Sequence, residues 1–276
     1  MSDRTRVFRL LRIATRLTDP EKHVLKGLIV RRDPRLIQLT SDDEMLLVVS
    51  TIVVSNAFHV WYDLFRAIDC SAHTAWHLHQ NSDCSRTLMT NPDPFSSSLL
   101  YGEVDFFGFA SLLAMLAPQP DQCLYDLGHG SGRAVFAAAL LYPTLHLVGI
   151  ELVDALFDAS RMALHEFQTR TRPTAGTITL IHGDLTQVDW WSHAGIVFVN
   201  ATAFSAPLWA DVETLLPRLR PTARFVSLTQ TTAVMTLVAQ CSVATSWGTE
   251  PAYIYQGFPT HAMETKYVPT HTFESI

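Results

Sequence analysis

The chain has 276 residues, 48% of them hydrophobic, enough to bury one large core or a catalytic core with a smaller helical unit. Its formal net charge is −6, but residues 1–35 hold ten Lys or Arg against four acids, which makes +6 there and −12 elsewhere. The acidic body excludes broad DNA binding by the whole surface. Four cysteines without paired spacing exclude a disulfide framework and suggest a reducing compartment, and a charged N-terminus with no apolar stretch behind it predicts no signal peptide.

In chain order, Arg4, Arg6, Arg9, Arg12 and Arg16 alternate with Val7, Phe8, Leu10, Leu11, Ile13 and Leu17. On a helix this makes a basic amphipathic face, suited to DNA phosphates or an acidic protein surface and equally compatible with a solvated helix packed on the core. The run Met45–Tyr62 carries no charge, yet Ser50, Thr51, Ser55, Asn56 and His59 make it a poor membrane span. A buried helix is the expectation, and no membrane partner is expected. Residues 1–90 thus read as a helical N-terminal domain, broken at Arg32–Arg35, and 91–276 as a second, catalytic domain. Cys70, His73 and His77, with His79 and Cys84 nearby, have rough metal-ligand spacing but match no established zinc finger, so no metal is assigned. Residues 81–100, rich in Asn, Ser, Asp and Pro, read as a linker.

The next stretch carries the most information. Leu124-Tyr-Asp-Leu-Gly-His-Gly-Ser-Gly-Arg133 is a short apolar run that ends in Asp126, turns on Gly128, Gly130 and Gly132, and enters the helix-like Ala134–Leu141. Glycines let the backbone approach a nucleotide closely. The run Leu145–Glu151 then ends in a carboxylate placed to accept from both ribose hydroxyls. The spacing is G-x-G-x-G, and Asp126 ahead of it would repel a pyrophosphate while suiting the ammonium and sulfonium of S-adenosylmethionine. The methyl donor is therefore expected over a dinucleotide.

Two further β-branched runs follow, Thr177–His182 before Gly183-Asp184, and Ile196–Val199 before Asn200. Asp126, Glu151, Asp184 and Asn200 would then stand at equivalent ends of four successive strands, where doubly wound sheets bind ligands. Alternation of strand and helix over 101–220 predicts a parallel sheet with helices on both faces. Arg224–Leu228 is a further strand. Ser242–Trp247, a Gly-Thr-Glu-Pro turn and Ala252–Gln256 predict a closing hairpin.

Taken together, Pro94-Phe95-Ser96, Tyr101-Gly102-Glu103, Asp126–Gly132, Val148-Gly-Ile-Glu151, Gly183-Asp184 and Val197-Phe-Val-Asn200 followed by Phe204 resemble the disruptor-of-telomeric-silencing family, the histone lysine methyltransferases without a SET domain. The resemblance covers about residues 90–258. It implies an α/β, class I S-adenosylmethionine-dependent methyltransferase fold, with a Rossmann-like mixed seven-stranded sheet and a smaller N-terminal helical domain. It implies lysine methylation of a core histone, in the globular core of histone H3, on the nucleosome in the nucleus; the charge pattern separately makes the basic residues of 4–35 candidates for DNA phosphate contact.

By the same resemblance, Tyr101, Gly102 and Glu103 fold over the methionine part of the cofactor. Asp126 and Gly128 hold its amino-acid end, Glu151 the ribose and Asp184 the adenine side, with Gly130, Gly132, Arg133 and Leu185 also among the cofactor-binding residues. Asn200 lines a lysine channel walled by Tyr101, Phe204 and one of Tyr253 and Tyr255. Three positions depart from the family pattern: Val104 for a hydroxyl residue, Arg133 for Gln, and Leu185 for a stacking aromatic. The other reading of the same fold is a methyltransferase acting on RNA or a small molecule.

Overall fold

A computed structural model describes residue 13, residues 16–31, 33, 39, 41–80, 103–171 and 174–258, with side chains at 19, 67 and 69–80 excepted. Two helices come first, α1 (Asp19–Val30) and α2 (Asp42–Gln80). Helix α2 starts on a capping box: Ser41 Oγ accepts from Glu44 N at 3.0 Å while Glu44 accepts from Ser41 N at 2.9 Å. Then follow α3 (Phe106–Leu116), β1 (Cys123–Leu127), α4 (Arg133–Leu141), β2 (His146–Glu151), α5 (Asp154–Arg170), β3 (Thr177–His182) and β4 (Ile196–Asn200). The chain continues through α6 (Ala206–Leu215), β5 (Arg224–Leu228), β6 (Leu237–Thr245) and β7 (Gly248–Gln256).

The strands form one seven-stranded sheet in the order β3-β2-β1-β4-β5-β7-β6, parallel except for the β6–β7 hairpin, whose β7 runs antiparallel to β5. This mixed sheet, wound outward in both directions from β1 and β4, is the class I methyltransferase fold. Strand alternation divides the core in two. Leu124, Phe198, Val226 and Ile254 face α2, α3, α4 and α5, whereas Tyr125, Val197, Phe225 and Tyr255 face Trp190, Trp209 and α6.

Helix α2 buries Met45, Val49, Val53, Ala57, Trp61, Leu64, Phe65 and Ile68, a seam at helical spacing. Its first half packs with Leu25 and Leu28 of α1; from Ala57 onward it joins the same core as the sheet. By length and composition Asp42–Arg66 could cross a membrane, but here it lays this seam on α1, α4 and α5 and exposes Ser55, Asn56 and His59. The expected domain boundary near residue 90, the linker and most of the basic arm lie outside the described residues. Of that arm, Ile13 and Leu17 are buried, and Arg16 pairs with Asp43 at 3.2 Å. The Cys70, His73, His77, His79 and Cys84 side chains also lie outside them; among the described residues no His, Cys, Asp or Glu cluster suits a metal.

The hairpin corrects one expectation. The turn is Ser246–Trp247, and Gly248–Pro251 belongs to β7. Pro251 is tolerated because its carbonyl, which accepts from Thr229 N at 3.0 Å, points past the last β5 pair, Leu228 with Ala252. Its missing N–H on that side therefore breaks no ladder bond.

Candidate active site

The register carries the site. Asp126 pairs with Gly149 on β2 and Phe198 on β4, Glu151 closes β2 opposite His182, and Asn200 closes β4 opposite Leu228. Asp184 follows β3 by two residues. All four thus line the carboxyl edge of the parallel strands, where the strand order reverses between β1 and β4.

The turn from β1 into α4 holds Gly128, Gly130 and Gly132 at φ of 75°, 58° and 94°, left-handed values that side chains resist. Four of its N–H groups are used within the protein. Gly128 N and His129 N donate to Ile150 O at 2.8 and 3.1 Å, Gly130 N to Glu151 Oε2 at 2.8 Å, and Gly132 N to His129 O at 2.9 Å. A phosphate cradle needs such groups free. This turn offers close backbone approach instead, as expected for a cofactor without phosphate. The side chain of Phe204 lies against Gly128: a Cβ there would stand 3.3 Å from Phe204 Cε1.

Glu151 is buried and anchored at both oxygens, with Oε1 accepting from Val153 N at 2.8 Å. Burial pushes its pKa up, and the Val153, Gly130 and Leu152 N–H groups pull it back. Asp126 is buried as well. Burial first, and the charge of Glu151 second, raise its pKa to about 8. A buried acid held protonated beside a second acid is a site that a cation stabilises, and the ammonium of the amino-acid end of S-adenosylmethionine fits it.

A cavity of about 40 Å³ lies beside Asp126, lined also by Glu103, His129, Arg133, Phe198 and Asn200 among others. Glu103 is tied on three sides. Its carboxylate accepts from Ser131 Oγ and pairs with the Arg133 guanidinium, and its main chain bonds to Ser246. Val104 adds a bridge to Thr245, where β6 fixes the approach to α3. Asn200 Oδ1 accepts from Thr202 Oγ1 at 2.8 Å, which sets the amide plane at the strand end.

Asp184 is exposed, and its Oδ1 accepts from both Thr186 N and Thr186 Oγ1 at 2.8 Å; Leu185 beside it is buried. Tyr101 and Gly102 lie outside the described residues. The pair left open by the sequence separates clearly. Tyr255 is 1% exposed, and its hydroxyl accepts from Thr232 N at 3.1 Å, so it belongs to the core. Tyr253 pairs with Ser227, one step from the end of β5 and nearer the crevice.

Sequence reasoning passed over His129, whose ring is buried with a pKa lowered by burial to about 4. Its position between two turn glycines was the only signal. It also passed over Trp61 and Phe65 of α2, which pack on Arg133.

A family model described as "Histone methylation protein DOT1" matches residues 85–250. No curated protein matches the chain. Among solved structures, TrmN from Thermus thermophilus is 17% identical with a TM-score of 0.46, over 54% of this chain and 48% of that one. A SAM-dependent methyltransferase from Geobacter sulfurreducens, solved with S-adenosyl-L-homocysteine, is 21% identical with a TM-score of 0.37, over 49% of this chain and 54% of that one. Precorrin-6y C5,15-methyltransferase from Geobacter metallireducens GS-15 is 16% identical with a TM-score of 0.39, over 54% and 88%. The match thus spans about half the length of the first two structures.

Proposed function

Because the chain belongs to the DOT1 histone methylation family, we propose that it methylates a lysine of a core histone, within the globular core of histone H3, on the nucleosome in the nucleus. It is a methyltransferase, and its cofactor is S-adenosylmethionine. The observation that carries the lysine reading is the Val197-Phe-Val-Asn200 strand end. It brings the Asn200 amide into one cavity with Asp126 and Glu103.

When bound, S-adenosylmethionine supplies a methyl group on a sulfonium sulfur, which an amine displaces in line. The residues of the chain do the rest. Asp126 and Glu103 meet the ammonium of the amino-acid end, Glu151 the ribose, and Asp184 with Leu185 the adenine side. The three turn glycines let the backbone come close.

A lysine amine has an ordinary pKa of about 10.4, so it must lose a proton before it attacks. An apolar channel beside a cationic centre favours the neutral amine, and no dedicated base is required. Asn200 accepts from the amine and orients it. Thr202 holds its Oδ1 from both the hydroxyl, at 2.8 Å, and the main-chain N–H, at 3.4 Å, and so fixes the amide at the strand end. Phe204 against Gly128, Tyr101, and Tyr253 beside Ser227 near the end of β5 would wall that channel and exclude water. Alignment of donor and acceptor in a dry channel supplies about 7–11 kcal/mol of the barrier reduction. The basic residues between 4 and 35 are the part of the acidic chain suited to DNA phosphates.

The test is methyl transfer from labelled S-adenosylmethionine to intact nucleosomes, free core histones and total RNA in parallel. Label in a nucleosomal core histone, lost in Asn200→Ala, supports the reading. Label in RNA alone discards the histone substrate and leaves the methyltransferase.

A further inference from the structure

Helix α2 lies before the segment matched by the family model, yet two of its rings pack on Arg133, which lines the donor cavity. Trp61 and Phe65, one turn apart, are 6% and 1% exposed. The Arg133 guanidinium carbon lies 4.9 Å from the Trp61 ring centroid and 4.7 Å from that of Phe65. The indole also donates from Nε1 to Arg133 O at 3.0 Å, so Trp61 grips both the main chain and the side chain of the first residue of α4. Beyond the rings, the guanidinium meets the Glu103 carboxylate, itself fixed by Ser131 and by the pairing of residues 103–105 with β6. Arg133 and Glu103 line the same cavity as Asp126 and Asn200.

We propose that Trp61 and Phe65 are positioning residues of the methyl-donor site. They hold the Arg133 guanidinium against Glu103, so that a fixed pair of opposite charges meets the zwitterionic amino-acid end of the donor. The proposal rests on the cofactor reading above. The guanidinium fork matches the donor's carboxylate, and the Glu103 carboxylate matches its ammonium. An arginine left free would lose its rotamer freedom on binding. Two aromatic faces attract the cation and remove that freedom beforehand. The N-terminal helix is on this view part of the donor site, although its residues touch no donor atom.

The test is calorimetric binding of two ligands to the full chain: S-adenosylhomocysteine, which keeps the amino-acid end, and 5′-methylthioadenosine, which lacks it. Trp61→Leu is expected to weaken S-adenosylhomocysteine about tenfold and to leave methylthioadenosine within about twofold. Phe65→Leu, which removes a ring but no hydrogen bond, serves as the second variant and should show the same split. In an Arg133→Met background either change should cost S-adenosylhomocysteine nothing further. Trp61→Phe should recover most of the loss. Equal loss for both ligands, or undiminished loss in the Arg133→Met background, would make the rings merely structural and overturn the proposal. A wild-type chain that binds neither ligand would instead overturn the cofactor reading itself.

Discussion

Asp126 and Glu151 stand buried on adjacent parallel strands at one edge of the sheet, and the charge of Glu151 adds to burial in raising the Asp126 pKa to about 8. At pH 7 Asp126 therefore carries a proton. A bound cation favours its ionised form, so binding of S-adenosylmethionine is expected to release that proton. Affinity should rise about tenfold per pH unit below pH 8 and flatten above it. Calorimetry at pH 7 in buffers of different ionisation enthalpy reads the proton directly. Asp126→Asn should abolish both the slope and the release. An affinity that does not change across this range would mean that the acid is already ionised before binding.

The same residue sets the sign of a stability profile. The folded pKa of Asp126 lies above its unfolded value of 3.8, so the folded state binds the extra proton between 3.8 and about 8. Stability from this group is present below the unfolded pKa and is lost as pH rises through the folded one. His129 opposes it in part. Its folded pKa of about 4 lies below its unfolded 6.5, so its contribution makes stability rise with pH across that window. The two effects oppose each other between about pH 4 and 6.5, and above that only the Asp126 loss continues. The thermal midpoint of the ligand-free protein should therefore fall between about pH 6.5 and 8, and Asp126→Asn should flatten it. A midpoint that climbs over that interval in the wild type would contradict the raised pKa.

How much of this was written in the chain depends on range. Thr177–His182 and Arg224–Leu228 form strands over the residues read from sequence, because β-branched or aromatic residues in short runs bounded by turn residues define them locally. The order of Asp126, Glu151 and Asn200 along one edge was legible for the same reason. The hairpin turn was not. The composition of Gly248–Pro251 says turn, and only the end of β5 at Leu228 explains why Pro251 can sit in a strand. Tyr253 and Tyr255 share a face by the period of two, and their depth follows from pairing with Ser227 and Phe225, which no single strand encodes. The spacing of Trp61 and Phe65 predicts a buried helix face but not that Arg133 lies beneath it.

A close approach behind the glycine turn gives a third prediction. Gly149 on β2 faces the His129 ring, and a Cβ there would stand 2.5 Å from His129 Cδ2. The ring sits in the core and has little room to yield. Gly149→Ala is expected to destabilise the protein by about 1–3 kcal/mol by overpacking. It should also weaken cofactor binding, because His129 and Gly130 are bonded to the strand end that carries Glu151. The double variant Gly149→Ala/His129→Ala removes the clash and should recover part of both losses. Urea denaturation and calorimetry of the two variants check this. Additive losses would show that the ring is not the obstacle.

The last prediction separates binding from chemistry at Asn200. Its oxygen is aimed by Thr202 through a 2.8 Å hydrogen bond from Oγ1. Under the proposed function the donor's amino-acid end meets Glu103, Asp126 and Arg133, which line the same cavity. Asn200→Ala should therefore reduce kcat by about a hundredfold or more, the effect of a misplaced reacting group. The dissociation constant for S-adenosylhomocysteine should change little. Thr202→Val keeps the amide but removes its aim, and should show a smaller loss of the same kind, in kcat rather than in cofactor affinity. Single-turnover methyl transfer at saturating cofactor, with binding measured separately, distinguishes the two. If Asn200→Ala weakens cofactor binding as much as turnover, the amide holds the donor and does not orient the amine.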